Sequence, residues 1–203
     1  MTVPIEACAV IVLAAGSSRR FGTDNKLLAN FRGKPLLSHV LGVVSGLPLA
    51  QKLLVTGHDH HDVAALGESF GILPIHNDQH LAGMGTSIAC GVRNLANGIA
   101  AVFIVPGDMP LIAPDDFLNL AASLRTPETI CRPLFEGRPG HPVLFASTYF
   151  SALEKLHGES GAHEIIGSAH RNLVTITSPN PDIAYDVDTV SDLVPVDTDS
   201  GDR

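Results

Sequence analysis

The sequence is poor in cysteine, in basic residues and in long apolar runs. Its three cysteines, Cys8, Cys90 and Cys131, lie far apart among 203 residues and form no C-x-x-C pair. An odd, scattered set argues against a disulfide framework and against a cysteine-built zinc site, and leaves buried thiols as the expectation. Lysine and arginine number 13 against 21 aspartates and glutamates, a net charge of −8. A polymeric nucleic acid is a poor partner for such a chain, because neutralising a phosphate backbone needs a basic face. A small anion stays open, since a few local cations and backbone amides hold one phosphate chain. No apolar run approaches the ~20 residues of a membrane span. The N-terminal stretch carries Glu6 and no basic cluster, so it reads as a short buried strand rather than a signal peptide. Charged residues make up only 17% against 45% apolar, which excludes a largely disordered chain. The lack of any repeat excludes a fibrous one. The expectation is a reduced, cytoplasmic protein with no membrane partner.

What is present is an alternation of strand and helix patterns. Ala7–Leu13, Lys52–Thr56, Ile72–Ile75 and the fully apolar Ala101–Val105 read as strands. Pro35–Ser45, Asp62–Phe70, Thr86–Ala96 and Pro114–Leu124 show helical spacing between and after them. That order predicts a single three-layer α/β/α Rossmann-like domain with a mostly parallel sheet. Beyond residue 127 the pattern changes. Thr129–Arg132 and Pro142–Phe145 flank the turn-rich Glu136-Gly137-Arg138-Pro139-Gly140, which predicts an antiparallel strand near 142–145. Thr148–Leu156 and Ala162–His170 read as helices and Leu173–Thr177 as a further strand. One domain over residues 1–196 is expected, followed by a frayed acidic tail at 197–203.

The strongest local signal follows the first strand: Leu13-Ala14-Ala15-Gly16-Ser17-Ser18-Arg19-Arg20-Phe21-Gly22, with Lys26 four residues on. Small residues at that place let backbone N–H groups approach phosphate oxygens. Two known phosphate loops fail here. A dinucleotide fingerprint needs a middle glycine between Gly16 and Gly22, and a P-loop needs Lys and Ser/Thr directly after its last glycine, where Thr23 stands. Two glycines, two arginines and a lysine remain, with Lys26 a point charge and the arginines able to fork onto phosphate. An ordinary strand-to-helix turn is the competing reading.

The motif L-A-A-G-x-S-x-R-x-G followed by K-L-L resembles the nucleotide-binding signature of the nucleotidyltransferases that include molybdenum cofactor cytidylyltransferase. The likeness continues in order through Val55-Thr56-Gly57-His58, Gly83-Met84-Gly85-Thr86-Ser87, Pro106-Gly107-Asp108-Met109-Pro110-Leu111, Arg138-Pro139-Gly140-His141-Pro142-Val143-Leu144-Phe145 and Asp186-Val187-Asp188-Thr189. It covers about residues 8–193. Val190 departs from it, standing where these enzymes often carry proline, and Asn25 precedes Lys26.

Asp108 follows the apolar run, with Pro106 and Gly107 making the bend. At the carboxyl end of a central strand a carboxylate there suits Mg²⁺, which takes one or two carboxylates and fills its shell with waters and phosphates. A turn or cap aspartate is the plain alternative. Asp186 and Asp188 share one face if their segment is extended, though Asp188 or Thr189 also fits a helix cap. The resemblance favours Asp108 and Asp188 as metal ligands, with Asp186 in support. The run His58, Asp59, His60, His61, Asp62 lacks the i,i+4 pair of a helical metal site and reads as a solvated loop opening a helix. His141 sits in a Gly/Pro-braced loop with Arg138 upstream. The resemblance places this loop beside the acceptor, against a plain strand-start histidine.

The resemblance therefore implies Mg²⁺-dependent transfer of CMP from CTP to a molybdopterin-type phosphate acceptor, with pyrophosphate released and a molybdoenzyme as a client. Lys26, Asp108 and Arg19 would be catalytic. Leu13, Ala14, Ala15, Gly16, Ser17, Arg19, Gly22, Lys26, Gly85, Thr86 and Ser87 would hold the nucleotide, and Arg138 and His141 the acceptor. Guanylyl-transferring relatives tend to carry a second glycine where Ala15 stands, which points to CTP. Transfer of guanylyl or another nucleotidyl group to a sugar or polyol phosphate is the alternative within the same fold, and a nucleotide- or cofactor-binding chaperone the alternative outside catalysis.

Overall fold

The first strand, β1 (Cys8–Ala14), is buried on both faces and sets the plan of the molecule. The structure, a computed structural model, describes residues 3–16, 21, 25–159 and 161–193. Ser17, Arg19, Arg20 and Gly22 of the glycine loop, and the acidic tail, lie outside the described residues. After β1 come a short hairpin, β2 (Asn30–Phe31) and β3 (Lys34–Pro35), and then α1 (Leu36–Gly46), β4 (Gln51–Thr56), α2 (His60–Ser69) and β5 (Leu73–His76). The chain continues through α3 (Met84–Arg93), β6 (Ala101–Pro106), α4 (Pro114–Ser123), β7 (Ile130–Phe135), β8 (Arg138–Pro139) and β9 (Val143–Ala146). It ends in α5 (Phe150–Leu153), α6 (His163–Ser168) and β10 (Leu173–Thr177), with short 3₁₀ turns at Pro181–Ala184 and Val190–Leu193.

Among the described residues one sheet runs in the order β10-β7-β9-β6-β1-β4-β5, with β8 paired to β7. β1 is parallel to β4 and β6, β4 to β5, and β10 to β7. β9 runs antiparallel to both β6 and β7, as the sequence predicts near 142–145. Alternate side chains of β1 feed two cores. Cys8, Val10, Val12 and Ala14 meet Leu37, Val40 and Leu41 of α1 and Phe117 and Leu120 of α4. Ala9 and Ile11 face Ile88 and Val92 of α3, Leu153 of α5 and Ile166 of α6. Helices on both faces of near-continuous apolar strands are the three-layer solution expected of a parallel sheet. The stretch Thr148–Leu156, expected as one helix, divides into a 3₁₀ turn at Ser147–Tyr149 and the four-residue α5. Within α5 Leu153 is buried and Phe150 packs against the core half-buried.

The connections decide where a ligand binds. From β1 the chain steps outward to β4 and β5, then returns to the opposite side of β1 for β6. The loops leaving β1 and β6 diverge, opening a crevice beyond the carboxyl ends of these two strands. Because β9 runs the other way, it is the segment preceding β9 that reaches this end of the sheet: Val143 is opposite Ile104.

Candidate active site

Lys26 begins a 3₁₀ turn, Lys26–Leu28, whose cap Asn25 accepts a hydrogen bond from the Leu27 N–H (3.0 Å). The turn aims Lys26 into the crevice. Its Nζ lies 2.7 Å from Asp108 Oδ2 and 3.5 Å from Asp188 Oδ1, and donates to the Val187 carbonyl at 2.7 Å. Asp108 stands two residues beyond β6. The intervening Gly107 donates its N–H to Leu13 O (2.9 Å), and a Cβ there would stand 2.9 Å from Leu37 Cδ1 and 3.0 Å from Leu13 O. Only glycine lets the β6 loop lie this close to β1. Asp108 Oδ1 is buried with no hydrogen-bond partner among the described residues. A buried carboxylate oxygen left unsatisfied is costly unless a cation or donor meets it.

In the segment 186–188 Val187 is fully buried and donates its N–H to Asp108 O (3.1 Å). Asp186 and Asp188 flank the buried Val187. Asp188 and Thr189 are capped rather than capping. Asp192 accepts from both backbone N–H groups (3.0 and 2.7 Å) and from the Thr189 hydroxyl (2.9 Å), and these bonds hold its carboxyl below the ordinary range. That leaves the Asp188 carboxylate to turn toward Lys26. Desolvation, with Asp188 and Asp108 close by, pushes the Asp186 carboxyl above its ordinary value. The donor set thus suits a hard divalent cation held by Asp108 and Asp188, with other ligands from outside the protein. Among the described residues no group of three or more His, Cys, Asp or Glu is arranged to hold a metal.

A cleft of about 460 Å³ opens here. Leu13, Ala15, Gly16, Lys26, Ser87, Asp108 and Asp188 of the sequence-derived set line it. Ala14 points into the core below, 1% exposed. Gly85 is placed by packing: its N–H donates to Gly158 O (2.9 Å), and a Cβ would meet His157 N at 2.9 Å. Thr86 is held in a buried network. Asn77, 5% exposed, donates from Nδ2 to Thr86 Oγ1 (2.9 Å) and Ser87 Oγ (3.0 Å), and its Oδ1 accepts from the Gln79 N–H (3.0 Å). Ser87 Oγ accepts from Asn77 and keeps its own proton for a ligand acceptor in the cleft.

Sequence reasoning passed over Leu81 and Met84, which line the cleft as exposed apolar side chains (68% and 51%). Their signal is an apolar residue within a glycine- and histidine-rich loop. Asp192 was missed because the segment around it reads as an ordinary helix start, and Asn77 because a lone asparagine in a loop has no distinctive spacing.

His141 donates its backbone N–H to Ile183 O (2.8 Å), and its Nδ1 is buried without a partner among the described residues. Burial, with Arg132 next in weight, pushes its imidazole down to about 4. Arg138 stands on β8 with its side chain exposed. In the histidine-rich loop, His60 Nδ1 lies 2.7 Å from Thr56 Oγ1, and its ring centroid is 4.3 Å from that of His76. Cys8 and Cys131 are buried, which pushes both thiols up to about 11. Among the described residues no helix is long and apolar enough to cross a membrane.

A doubly wound sheet carries a lysine–carboxylate cluster at the carboxyl ends of its central strands. The chain belongs to the MobA-like NTP transferase domain family, whose model matches residues 10–173. The bifunctional protein GlmU of Mycobacterium tuberculosis is 36% identical over 132 residues, 62% of this chain and 26% of the relative. The chain spans about a quarter of the length of the curated relatives it matches. A homologue of M. tuberculosis Rv0371c from Mycobacterium sp. strain JC1 superposes with TM-score 0.82 at 26% identity, covering 93% of this chain and 94% of that one. Rv0371c from M. tuberculosis H37Rv, crystallised in complex with manganese, gives TM-score 0.72 at 23% identity over 91% and 95% of the two chains. Molybdopterin-guanine dinucleotide biosynthesis protein A from Archaeoglobus fulgidus gives 0.62 at 20% over 91% and 94%. The last two likenesses establish the fold.

Proposed function

We propose that this nucleotidyltransferase moves CMP from CTP to the phosphate of a molybdopterin-type acceptor. The observation that carries the reading is the meeting of Lys26, Asp108 and Asp188 at the crevice between β1 and β6. The second pKa of a phosphate monoester is near 6, so the acceptor is already an anion at neutral pH and needs no general base. An acceptor phosphate oxygen bonds to the α-phosphorus of CTP, the bond from that phosphorus to its bridging oxygen breaks, and pyrophosphate leaves. The obstacles are repulsion between anions and charge growing on the leaving group, which cations and fixed dipoles relieve. Mg²⁺ on Asp108 and Asp188 would supply charge neutralisation at the phosphates. Lys26 binds the triphosphate, joined by Ser17, Arg19, Gly22 and the amides of the loop that starts at Gly16. Ala15 narrows the nucleotide side of the cleft in favour of a pyrimidine, and the Ser87 hydroxyl donates to a base acceptor atom.

Pyrophosphate release with each of the four ribonucleotides, Mg²⁺ and a molybdopterin acceptor tests the reading. CTP is expected to turn over fastest. Faster GTP turnover would favour the second reading, guanylyl transfer, which the name of the archaeal structural neighbour supports.

A further inference from the structure

Gly83 and Gly85 flank Met84, the first residue of α3, and both are closed against one piece of chain, residues 157–159. A Cβ on Gly83 would stand 2.4 Å from Gly158 C and O and 2.7 Å from Glu159 N. A Cβ on Gly85 would stand 2.9 Å from His157 N and O, and the Gly85 N–H donates to Gly158 O at 2.9 Å. The two glycines therefore let residues 157–159 seat directly against the start of α3. Of those three residues Glu159 alone lines the cleft, next to Gly83 and in company with Leu81, Met84 and Ser87. Asp108 and Asp188, which also line it, meet Lys26. Glu159 is exposed and, among the described residues, has no cation and no hydrogen-bond donor as partner. Among the same residues it does not join Asp108 and Asp188 in a three-donor metal group.

We infer that Glu159 reads the exocyclic amino group of the nucleobase and so sets this site against UTP. The inference rests on the nucleotide reading above and deepens it by naming the residue that tells these bases apart. An unpaired carboxylate repels a triphosphate, so a bound nucleotide keeps its phosphates at Lys26 and turns a neutral donor toward Glu159. The neighbours suit a base. Leu81 and Met84 expose apolar surface to a flat ring, and Ser87 has a hydroxyl proton to give. An ionised carboxylate only accepts hydrogen bonds. The N4 amino group of cytosine donates one, and the adjacent N3 accepts the Ser87 proton. Uracil inverts that pair: its O4 accepts and its N3–H donates, so O4 would face the carboxylate with both acceptors unmet. A site built to pair with a polar group rejects the analogue that lacks it far more strongly than a change of size does. Guanine and adenine also carry amino groups, and the choice among the amino bases falls to the width of the cleft at Ala15.

The test is calorimetric titration of the whole chain with CTP and with UTP, Mg²⁺ present and acceptor absent. The wild-type protein should bind CTP about tenfold more tightly than UTP, the worth of one charge-assisted hydrogen bond. Glu159→Gln should bring the ratio close to one, because an amide turns either its oxygen to an amino group or its nitrogen to a carbonyl. Glu159→Asp, which keeps the acceptor, should leave CTP ahead. The ratio is the decisive quantity, since damage to the fold weakens both nucleotides alike. Equal affinity of the wild-type protein for CTP and UTP overturns the proposal. A ratio that Glu159→Gln leaves unchanged, with both affinities intact or both reduced, also overturns it. The transfer reading fails separately. A protein whose CTP preference depends on Glu159 but which releases no pyrophosphate with a molybdopterin acceptor would refute that transfer and leave the base reading standing.

Discussion

Replacing Lys26 by methionine should tighten divalent-metal binding while abolishing transfer. In the proposed site the ammonium and a metal ion compete for the same two carboxylates. It lies 2.7 Å from Asp108 and 3.5 Å from Asp188, with side chains 15%, 21% and 49% exposed respectively. At an effective dielectric near 20 these separations correspond to about 6 and about 5 kcal/mol of gross attraction. Desolvation of the charges offsets most of that. A metal ion arriving without nucleotide must displace the ammonium or share Asp108 with it. If only about a quarter of the larger attraction is lost in that exchange, about 1.4 kcal/mol, removing the lysine strengthens binding about tenfold. Methionine keeps most of the unbranched side chain and loses the charge. The assay is Mn²⁺ titration of nucleotide-free protein, read by the loss of the free-ion electron paramagnetic resonance signal, beside a thermal melt that checks the fold. Unchanged or weaker Mn²⁺ affinity in a folded Lys26→Met protein would refute the competition. Addition of triphosphate should narrow the gap between the two proteins, because the wild-type lysine then has phosphate oxygens to turn to.

Asp108→Ala and Asp188→Ala should each abolish pyrophosphate release without unfolding the protein, and Asp186→Ala should be milder; near-wild-type turnover in either of the first two removes that residue from the metal site. Gly107→Ala should cost about 1–3 kcal/mol, because its methyl meets Leu37 and the Leu13 carbonyl within about 3 Å, and an unchanged denaturation midpoint would show that the β6 loop relaxes freely. His141 is held at about 4 in the folded chain against an ordinary 6.5. Its neutral form therefore contributes stability that is fully present above about 6.5 and lost as pH falls toward 4, up to about 3 kcal/mol. Urea unfolding at pH 7 and pH 5 should show a loss in the wild-type protein that is reduced in His141→Gln, and equal losses in both would assign the effect elsewhere. Ala15→Gly should lower the ratio of CTP to GTP turnover; no change in that ratio would detach Ala15 from base selection.

The sequence made the parallel half of the fold legible because each strand there is a short apolar run ended by a turn signal. Ala101–Val105 is the clearest case, since a run buried on both faces has no polar alternation to confuse it. The antiparallel strand was visible from its flanking turn residues. The division of Thr148–Leu156 was not, because helical spacing records which side chains are apolar and not which meet a core. At the site, Lys26, Asp108 and Asp188 were legible by motif, and the structure brings all three within one salt-bridged cluster. Gly85 shows the opposite limit. A glycine beside a helix start reads equally as a phosphate contact and as room for a neighbouring backbone, and here the neighbour is His157–Gly158.

The reversed direction of β9 has a consequence for how this site could change. A residue presented from a parallel strand must come after it, and the next such strand requires a long crossover. A reversed strand instead presents residues from its leading end, through a hairpin. Arg138 and His141 consequently both fall within residues 130–146, a stretch bounded by β7 and β9 and anchored to the rest of the sheet through β6 and β10. Lys26 and the loop after β1 belong to a separate stretch of chain. If this hairpin faces the acceptor, as the proposed function has it, that wall is exchanged as one short cassette with the loop after β1 left in place, and new acceptors are reached by rewriting one hairpin rather than the domain.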